Sequence, residues 1–260
     1  MTILEKIVVN KKREVLYAKN RISYTQLEES NFFDRDCYLF KDFLLDPKRT
    51  GIIAEFKRKS PSKGIINDKA SVKEVTTAYA AAGASALSVL SDRDFFMGRK
   101  SDIVEARKAN TIPVLRKDFM IDEYQIIEAK ALGADIILLI AAILTPAEIK
   151  TMASLAKSLS LNVLLEVHNL DELNRSIVPD LDAIGINNRN LADFSVSVKT
   201  SYDLVSHIPD DFLKISESAI SNPETINQLK IAGFNGFLIG ENFMKHVDPG
   251  KAMKDFVSIL

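Results

Sequence analysis

From Gly51 onward, apolar runs return at intervals of about 20–30 residues. They fall at Ile52–Phe56, Ala86–Leu90, Pro113–Leu115, Ile136–Ile140, Val163–Val167, Ala183–Ile186, Leu213–Ile215 and Gly236–Ile239. Predominantly apolar runs of this length, with only an occasional polar residue, are the mark of strands buried on both faces, and such strands belong to parallel sheets covered by helices. The intervening segments have helical spacing. Val72–Ala82 carries Val72, Val75 and Tyr79 on one stripe, and Tyr124–Leu132 carries Ile126, Ile127 and Leu132. In Pro146–Leu159, Thr145 caps, Pro146 takes the first helical position and Glu148 completes a capping box. Asn169 opens a short helix over Leu170–Ile177, and Asn222-Pro223-Glu224 opens another. Gly83, Gly133 and Gly233 each follow a helical stretch, as C-terminal capping glycines do. Eight such strand–helix units predict an α/β fold, a closed (β/α)8 TIM barrel. An open dinucleotide-binding sheet is disfavoured, since no Gly-x-Gly-x-x-Gly follows the first run.

The segment before the barrel has a different character. Residues 2–20 read as a helix, with Ile3, Ile7 and Val15 close to one stripe, and residues 21–48 read as one or two short helices. The expected organisation is a single domain over 1–260, an N-terminal helical extension (1–48) followed by the barrel (51–260). With 34 basic and 35 acidic residues and no charged tail, charge offers no handle for nucleic acid or membrane. The longest apolar run, Ile136–Leu144, is far short of the roughly 20 residues of a membrane span, and Met1–Asn10 lacks a signal-peptide core. The single cysteine, Cys37, has no internal partner, which fits a reducing, cytoplasmic setting. Three scattered histidines give no metal-ligand spacing, so no metal is expected.

In a (β/α)8 barrel, chemistry gathers at the C-terminal ends of the strands. Those ends are rich in polar residues here. The first run continues into Glu55, Lys57 and Ser60, and Glu55 and Lys57, two apart, point to the same face of a strand. The second ends in Ser91-Asp92, followed by a loop with Phe96. The third ends in Arg116-Lys117-Asp118-Phe119, the fifth in Glu166-Val167-His168, and the sixth in Asn187-Asn188-Arg189. Each has a bland alternative: a lysine at a strand end is usually solvated or ion-paired, Asn187–Arg189 reads equally as a turn cluster, and His168 reads as a loop or core residue rather than a catalytic one. Glu166 differs, because a carboxylate flanked by leucine and valine needs a partner or a use. The last two strands end in Ser216-Glu217-Ser218-Ala219 and Gly240-Glu241-Asn242, where barrels of this kind hold phosphate through backbone N–H groups.

Taken together, Ile53–Ser62, Leu115-Arg116-Lys117-Asp118-Phe119, Leu165-Glu166-Val167-His168, Ile186-Asn187-Asn188-Arg189-Asn190-Leu191 and Ser216-Glu217-Ser218 make the chain resemble the indole-3-glycerol phosphate synthase family over essentially its whole length. The resemblance implies a phosphorylated small-molecule substrate, 1-(2-carboxyphenylamino)-1-deoxyribulose 5-phosphate, whose pyrrole ring closes with loss of carbon dioxide and water, without cofactor. It implies Lys117 as the general acid, Glu166 in the later proton transfers with Lys57 as a further candidate, and Lys57 as the partner of the anthranilate carboxylate. Glu55 and Asn187 are implied to position these groups. Ser218, Gly240 and Glu241 are implied to hold the phosphate, with Ser60, Arg189, Glu217 and Ala219 among the residues that bind substrate or phosphate. Phe96, Phe119, Leu138 and Leu191 are implied to pack on the aromatic ring, and the extension to help cover the substrate. Lys57 beside Lys117 is expected to pull the Lys117 pKa toward neutrality. One departure stands out: Ala219 occupies a position where the family often has glycine, which matters only if φ there is positive. The alternatives are an isomerase-like phosphosugar barrel, which would want a cysteine on the first strand, and a non-catalytic sensor barrel, which would want Lys117 or Glu166 lost. The chain is expected to be a monomer or a weak homo-oligomer.

Overall fold

The structure, a computed structural model, describes residues 1–190 and 194–260. Helices α1 (Ile3–Lys19), α2 (Tyr24–Glu28) and α3 (Phe40–Leu44) precede the barrel. The α1 helix starts at a capping box, with Thr2 Oγ1 accepting from Glu5 N and the Glu5 carboxylate accepting from Thr2 N. Its buried stripe is Ile7, Lys11 and Val15, at four-residue spacing. A lysine in the middle of that stripe is the first sign that the helix docks on charge as well as on hydrocarbon.

Eight parallel strands close the barrel: β1 (Ile52–Phe56), β2 (Ala86–Leu90), β3 (Val114–Lys117), β4 (Ile136–Ile140), β5 (Asn162–Val167), β6 (Ala183–Asn187), β7 (Leu213–Glu217) and β8 (Gly236–Ile239). Closure is visible at Ile53, which sits opposite Ala86 of β2 on one side and Leu238 of β8 on the other. Three strands run further than their apolar cores. Pro113, with no N–H, lies outside β3, which instead carries Arg116 and Lys117 into the ladder opposite Val89 and Leu90. β6 reaches Asn187, and β7 reaches Glu217, its partner across the ladder. The polar ends are therefore ladder residues rather than loop residues, and their backbones are fixed by inter-strand hydrogen bonds. A two-strand hairpin, Lys59–Ser60 against Gly64–Ile65, follows β1.

The helices packed around the barrel are α4 (Val72–Ala81), α5 (Lys100–Ala109), α6 (Glu123–Ala131), α7 (Pro146–Ser158), α8 (Leu170–Ser176), α9 (Lys199–Leu204), α10 (Pro223–Ile231), α11 (Glu241–Met244) and α12 (Pro249–Val257). The capping box at Thr145 forms, and Gly83, Gly133 and Gly233 take φ of 94°, 88° and 106°, as capping glycines should. The extension serves both ends of the barrel. Phe40 and Leu44 of α3 join the inner core formed by Ile53, Leu115, Leu164 and Ile215, so α3 plugs the N-terminal end. Asn162 ties it there, accepting from Phe40 N at 3.1 Å and donating to Tyr38 O at 2.9 Å. The first turns of α1 reach the opposite end, where Ile3, Leu4 and Ile7 face the mouth. No described helix is long and apolar enough to cross a membrane.

Candidate active site

The C-terminal mouth holds a cavity between α1 and the strand ends. Lys117 and Glu166 face each other across it at 2.7 Å, Nζ to Oε2. Asn187 donates through Nδ2 to Glu166 Oε1 at 3.1 Å and accepts from Arg189 N at 3.0 Å, which fixes its amide orientation. Lys57 pairs with Glu55 at 2.7 Å, and Ser88 donates to the other Glu55 oxygen at 3.3 Å. Gly240 makes room for this pair: a Cβ there would stand 2.5 Å from Glu55 Oε1. These contacts follow from strand periodicity, since residues at matching ladder positions of neighbouring strands point into the same barrel layer. On the apolar side, the rings of Phe96 and Phe119 lie 5.9 Å apart, with Leu138 lining the cavity between strand ends. Ser60 also lines it. Leu191 lies outside the described residues.

A second recess adjoins the first and is bounded by Ser218, Ala219, Gly240, Glu241 and Arg189. Ser218 and Ala219 take φ of 66° and 61°, two successive left-handed residues in the turn after β7, and successive backbone N–H groups in turns can form anion-binding nests. The positive φ at Ala219 is the condition under which the missing glycine has a cost. Asn188, read as a turn residue, braces this turn from behind. Its Nδ2 donates to Ser216 Oγ at 3.0 Å and Ser218 O at 3.3 Å, and its Oδ1 accepts from Ser201. Arg189 reaches Glu241 at 3.4 Å across the recess.

One expectation is narrowed and a second is corrected. Glu217 does not stand with the anion nest. As the last ladder residue of β7 it points into the barrel, 3.7 Å from Lys117, and is 1% exposed. A carboxylate beside phosphate would be repelled; beneath Lys117 it has a cation. Gly185 of β6 clears its place, since a Cβ there would be 2.1 Å from Glu217 Oε1. The correction is the sign at Lys117. Burial pulls its pKa down, but Glu166, Glu217 and Glu55 outweigh burial and hold it above the ordinary lysine value. Lys57 is tied to Glu55, and the surrounding carboxylates dominate. For Glu166, burial pushes upward, while Lys117 and His168 hold the carboxyl well below the usual range. Burial, with Glu166 and Glu55 nearby, pushes Glu217 up to about 8 despite Lys117.

Two charged neighbours of the site were not assigned to it from the sequence: His168, read there as a loop or core residue, and Lys11. His168 stands 3.4 Å from Glu166 through Nε2 and 3.1 Å from Glu172 through Nδ1. Lys11 of α1 is buried with its Nζ 2.8 Å from Asp118, 2.9 Å from Asp92 and 2.6 Å from Glu14. Asp118, the residue after Lys117, also accepts from Ser91 at 2.6 Å and pairs with Arg116 at 3.2 Å. The only sequence signal for Lys11 is its place in an apolar stripe.

Paired lysine–glutamate ion pairs inside a parallel barrel mouth, with an aromatic wall on one side and an anion nest at the ends of β7 and β8, define an enzyme that does acid–base chemistry on a phosphorylated small molecule. The comparisons make this specific. The family model for indole-3-glycerol phosphate synthase matches residues 4–256. The indole-3-glycerol phosphate synthase of Bacteroides thetaiotaomicron is 46% identical over 258 residues, covering 99% of this chain and 98% of the relative. That of Acidovorax sp. (strain JS42) is 43% identical, covering 96% and 97%. A chain of the tryptophan synthase complex from Pyrococcus furiosus matches at a TM-score of 0.60 with 17% identity, covering 81% of this chain and 97% of that one, a likeness of fold alone. The chain belongs to the indole-3-glycerol phosphate synthase family, carboxy-lyases of tryptophan biosynthesis.

Proposed function

We propose that the phosphate of 1-(2-carboxyphenylamino)-1-deoxyribulose 5-phosphate sits in the nest at Ser218–Ala219 and Gly240–Glu241, with Arg189 beside it, and that the anthranilate ring packs on Phe96, Phe119 and Leu138. Lys57 leaves Glu55 to meet the ring carboxylate. The ring carbon bearing that carboxylate attacks the ketone carbon, and Lys117 protonates the ketone oxygen as it becomes a hydroxyl. The carboxylate then departs as carbon dioxide, its bonding electrons restoring the aromatic ring. Glu166, held ionised, removes a methylene proton, and Lys57 protonates the departing hydroxyl, which leaves as water. Glu55 and Asn187 position Lys57 and Glu166.

The observation that carries this reading is the Lys117–Glu166 pair at 2.7 Å, an acid and a base in reach of one substrate between the aromatic wall and the nest. The isomerase-like alternative lacks its cysteine: Cys37 lies on the extension against Lys130, away from β1. The lone cysteine, with no internal partner, supports a reducing cytoplasmic setting, and we take the chain to be one domain and a monomer or weak homo-oligomer. The test is Lys117→Ala. Turnover should vanish while the substrate still binds, and product indole fluorescence is read without protein background because the chain has no tryptophan. Product appearing at the parent rate would overturn the assignment.

A further inference from the structure

His168 sits at the end of β5, two residues past Glu166 and on the same side of the strand. It is not one of the residues lining the cavity. Its position is nonetheless fixed from two directions. Glu172, in the first turn of α8, accepts from His168 N at 2.8 Å and faces Nδ1 at 3.1 Å. The other Glu172 oxygen is held at 3.0 Å by Asn169, the residue that caps α8. With Nδ1 taken, the ring presents Nε2 to Glu166 Oε1 at 3.4 Å, an ion-pair distance. Nε2 is buried and makes no hydrogen bond within the protein, so Glu166 is the group it serves.

We propose that His168 is a positioning residue for the reaction, a counter-cation behind Glu166 that is anchored by Glu172 and keeps the Glu166 carboxylate facing Lys117 and the substrate. The inference rests on the role given above to Glu166. A filler residue would need neither the Glu172 anchor nor an imidazole edge aimed at the carboxylate. The charged groups around the ring are Glu166 on β5, Glu172 on α8, and, further into the mouth, Glu217 on β7 and Lys117 on β3. Burial would lower the His168 pKa, but Glu166 and Glu172 outweigh it and bring it to about 9. The ring is therefore an imidazolium through neutral pH. Glu166 thus has a cation on each side, Lys117 at Oε2 and His168 at Oε1.

The test uses the full chain and the kcat–pH profile. His168→Gln keeps a donor of similar reach and removes the charge. Its kcat should fall on the order of tenfold with KM within about threefold of the parent, because substrate does not touch the position. Its acidic limb should move to higher pH, because Glu166 takes up a proton more readily without the cation. Glu172→Gln removes one of the two anions that hold the imidazolium, so its alkaline limb should move from near 9 toward neutrality. A folded His168→Gln enzyme with parental kcat and unmoved limbs overturns the proposal. If that variant does not fold, an unmoved alkaline limb in Glu172→Gln overturns it instead. Glu166→Gln keeps the two readings apart. Activity surviving there removes the role of Glu166 and this inference with it, whereas loss there with an unchanged His168→Gln removes only the inference.

Discussion

Replacing Lys11 by methionine asks whether the N-terminal helix is part of the active site or only a roof over it. Lys11 is 2% exposed and faces Asp118, Asp92 and Glu14 at 2.6–2.9 Å. Methionine keeps the aliphatic stem packed and removes only the charge. Breaking one partner out of a buried ion cluster costs about 3–5 kcal/mol, because the carboxylates left behind stay desolvated. Asp118 retains Arg116 and Ser91, and Asp92 retains Phe95 N, which places the cost near the lower end, at about 3 kcal/mol. In a chain of this size that is a fall in melting temperature of roughly 6–12 °C.

The pH dependence has a definite sign. Burial pushes the Asp118 pKa up, but Lys11 and Arg116 outweigh it and hold the carboxyl below its usual range. Its contribution is present above the unfolded value of about 3.9 and is lost as pH falls further. Lys11 is held above the ordinary lysine value by the same carboxylates, against burial, so its contribution is full below about 10.4 and is lost as pH rises beyond it. The parent's advantage over Lys11→Met should therefore be widest between about pH 5 and 9 and should narrow at both ends. Circular-dichroism melts at about pH 3, 7 and 11 measure it. Activity should fall too, because Asp118 adjoins Lys117 and the cluster seats Ile3, Leu4 and Ile7 over the cavity. Melting temperatures within about 2 °C of the parent at pH 7, or a gap that ignores pH, would refute the reasoning.

Ala219→Gly should stabilise the protein by about 0.5–1 kcal/mol in urea titrations, since glycine relieves a φ of 61° at some cost in unfolded-chain entropy, and should leave phosphate affinity intact. Glu217→Gln should be more stable than the parent by a margin that opens above about pH 4.3 and levels off once Glu217 ionises near pH 8. A buried carboxyl with its pKa raised to about 8 makes the folded state lose stability across that window, and the amide carries no such penalty. Urea titrations at pH 5, 7 and 9 read that margin, and a margin that does not change with pH would contradict the assignment.

The barrel was legible because the strands are mostly apolar and buried on both faces, a local property that survives without any knowledge of partners. The strand ends were less so. Apolar counting stopped at Leu115 and Ile215, whereas the ladder carries Arg116–Lys117 and Ser216–Glu217 two residues further. Period-two reading placed Glu55 with Lys57 correctly because both lie on one chain segment. It could not say which neighbour in Ser216-Glu217-Ser218 points inward. Glu217 turns in to Lys117, Ser216 turns out to Asn188 and Ser201, and only Ser218 belongs to the nest. The sign at Lys117 was out of reach for a different reason. It is a sum over Glu166, Glu217 and Glu55, which come from three other strands, and sequence shows how many charges there are but not how far apart they stand. Lys11 needed the same long-range knowledge, since Asp92 and Asp118 lie on loops that only the closed barrel brings to α1.

Charge exchange connects these features to turnover. In the structure three cations of the mouth hold internal anions: Lys57 holds Glu55, Lys117 holds Glu166, and Arg189 reaches Glu241. A substrate carrying a phosphate dianion and a carboxylate must take some of these cations over. Arg189 is the easiest to recruit, because its contact with Glu241 is long, at 3.4 Å, and both side chains are partly exposed. Lys57 comes next. It is 16% exposed and leaves behind a Glu55 that keeps the Ser88 hydroxyl. Lys117 is equally exposed, but Glu166 holds it at 2.7 Å, and in the proposed reaction it stays beside the ketone oxygen. A Glu217 that is protonated at neutral pH removes one negative charge from a wall that would otherwise repel the incoming carboxylate. Once that carboxylate leaves as neutral carbon dioxide, Lys57 loses its substrate anion and Glu55 is still in reach. In the proposed reaction Lys57 then gives its proton to the departing hydroxyl, and once it has regained a proton the ion pair at β1 re-forms, leaving the product with its phosphate as its one charged group. The same exchange that makes the substrate costly to admit therefore favours release of the product.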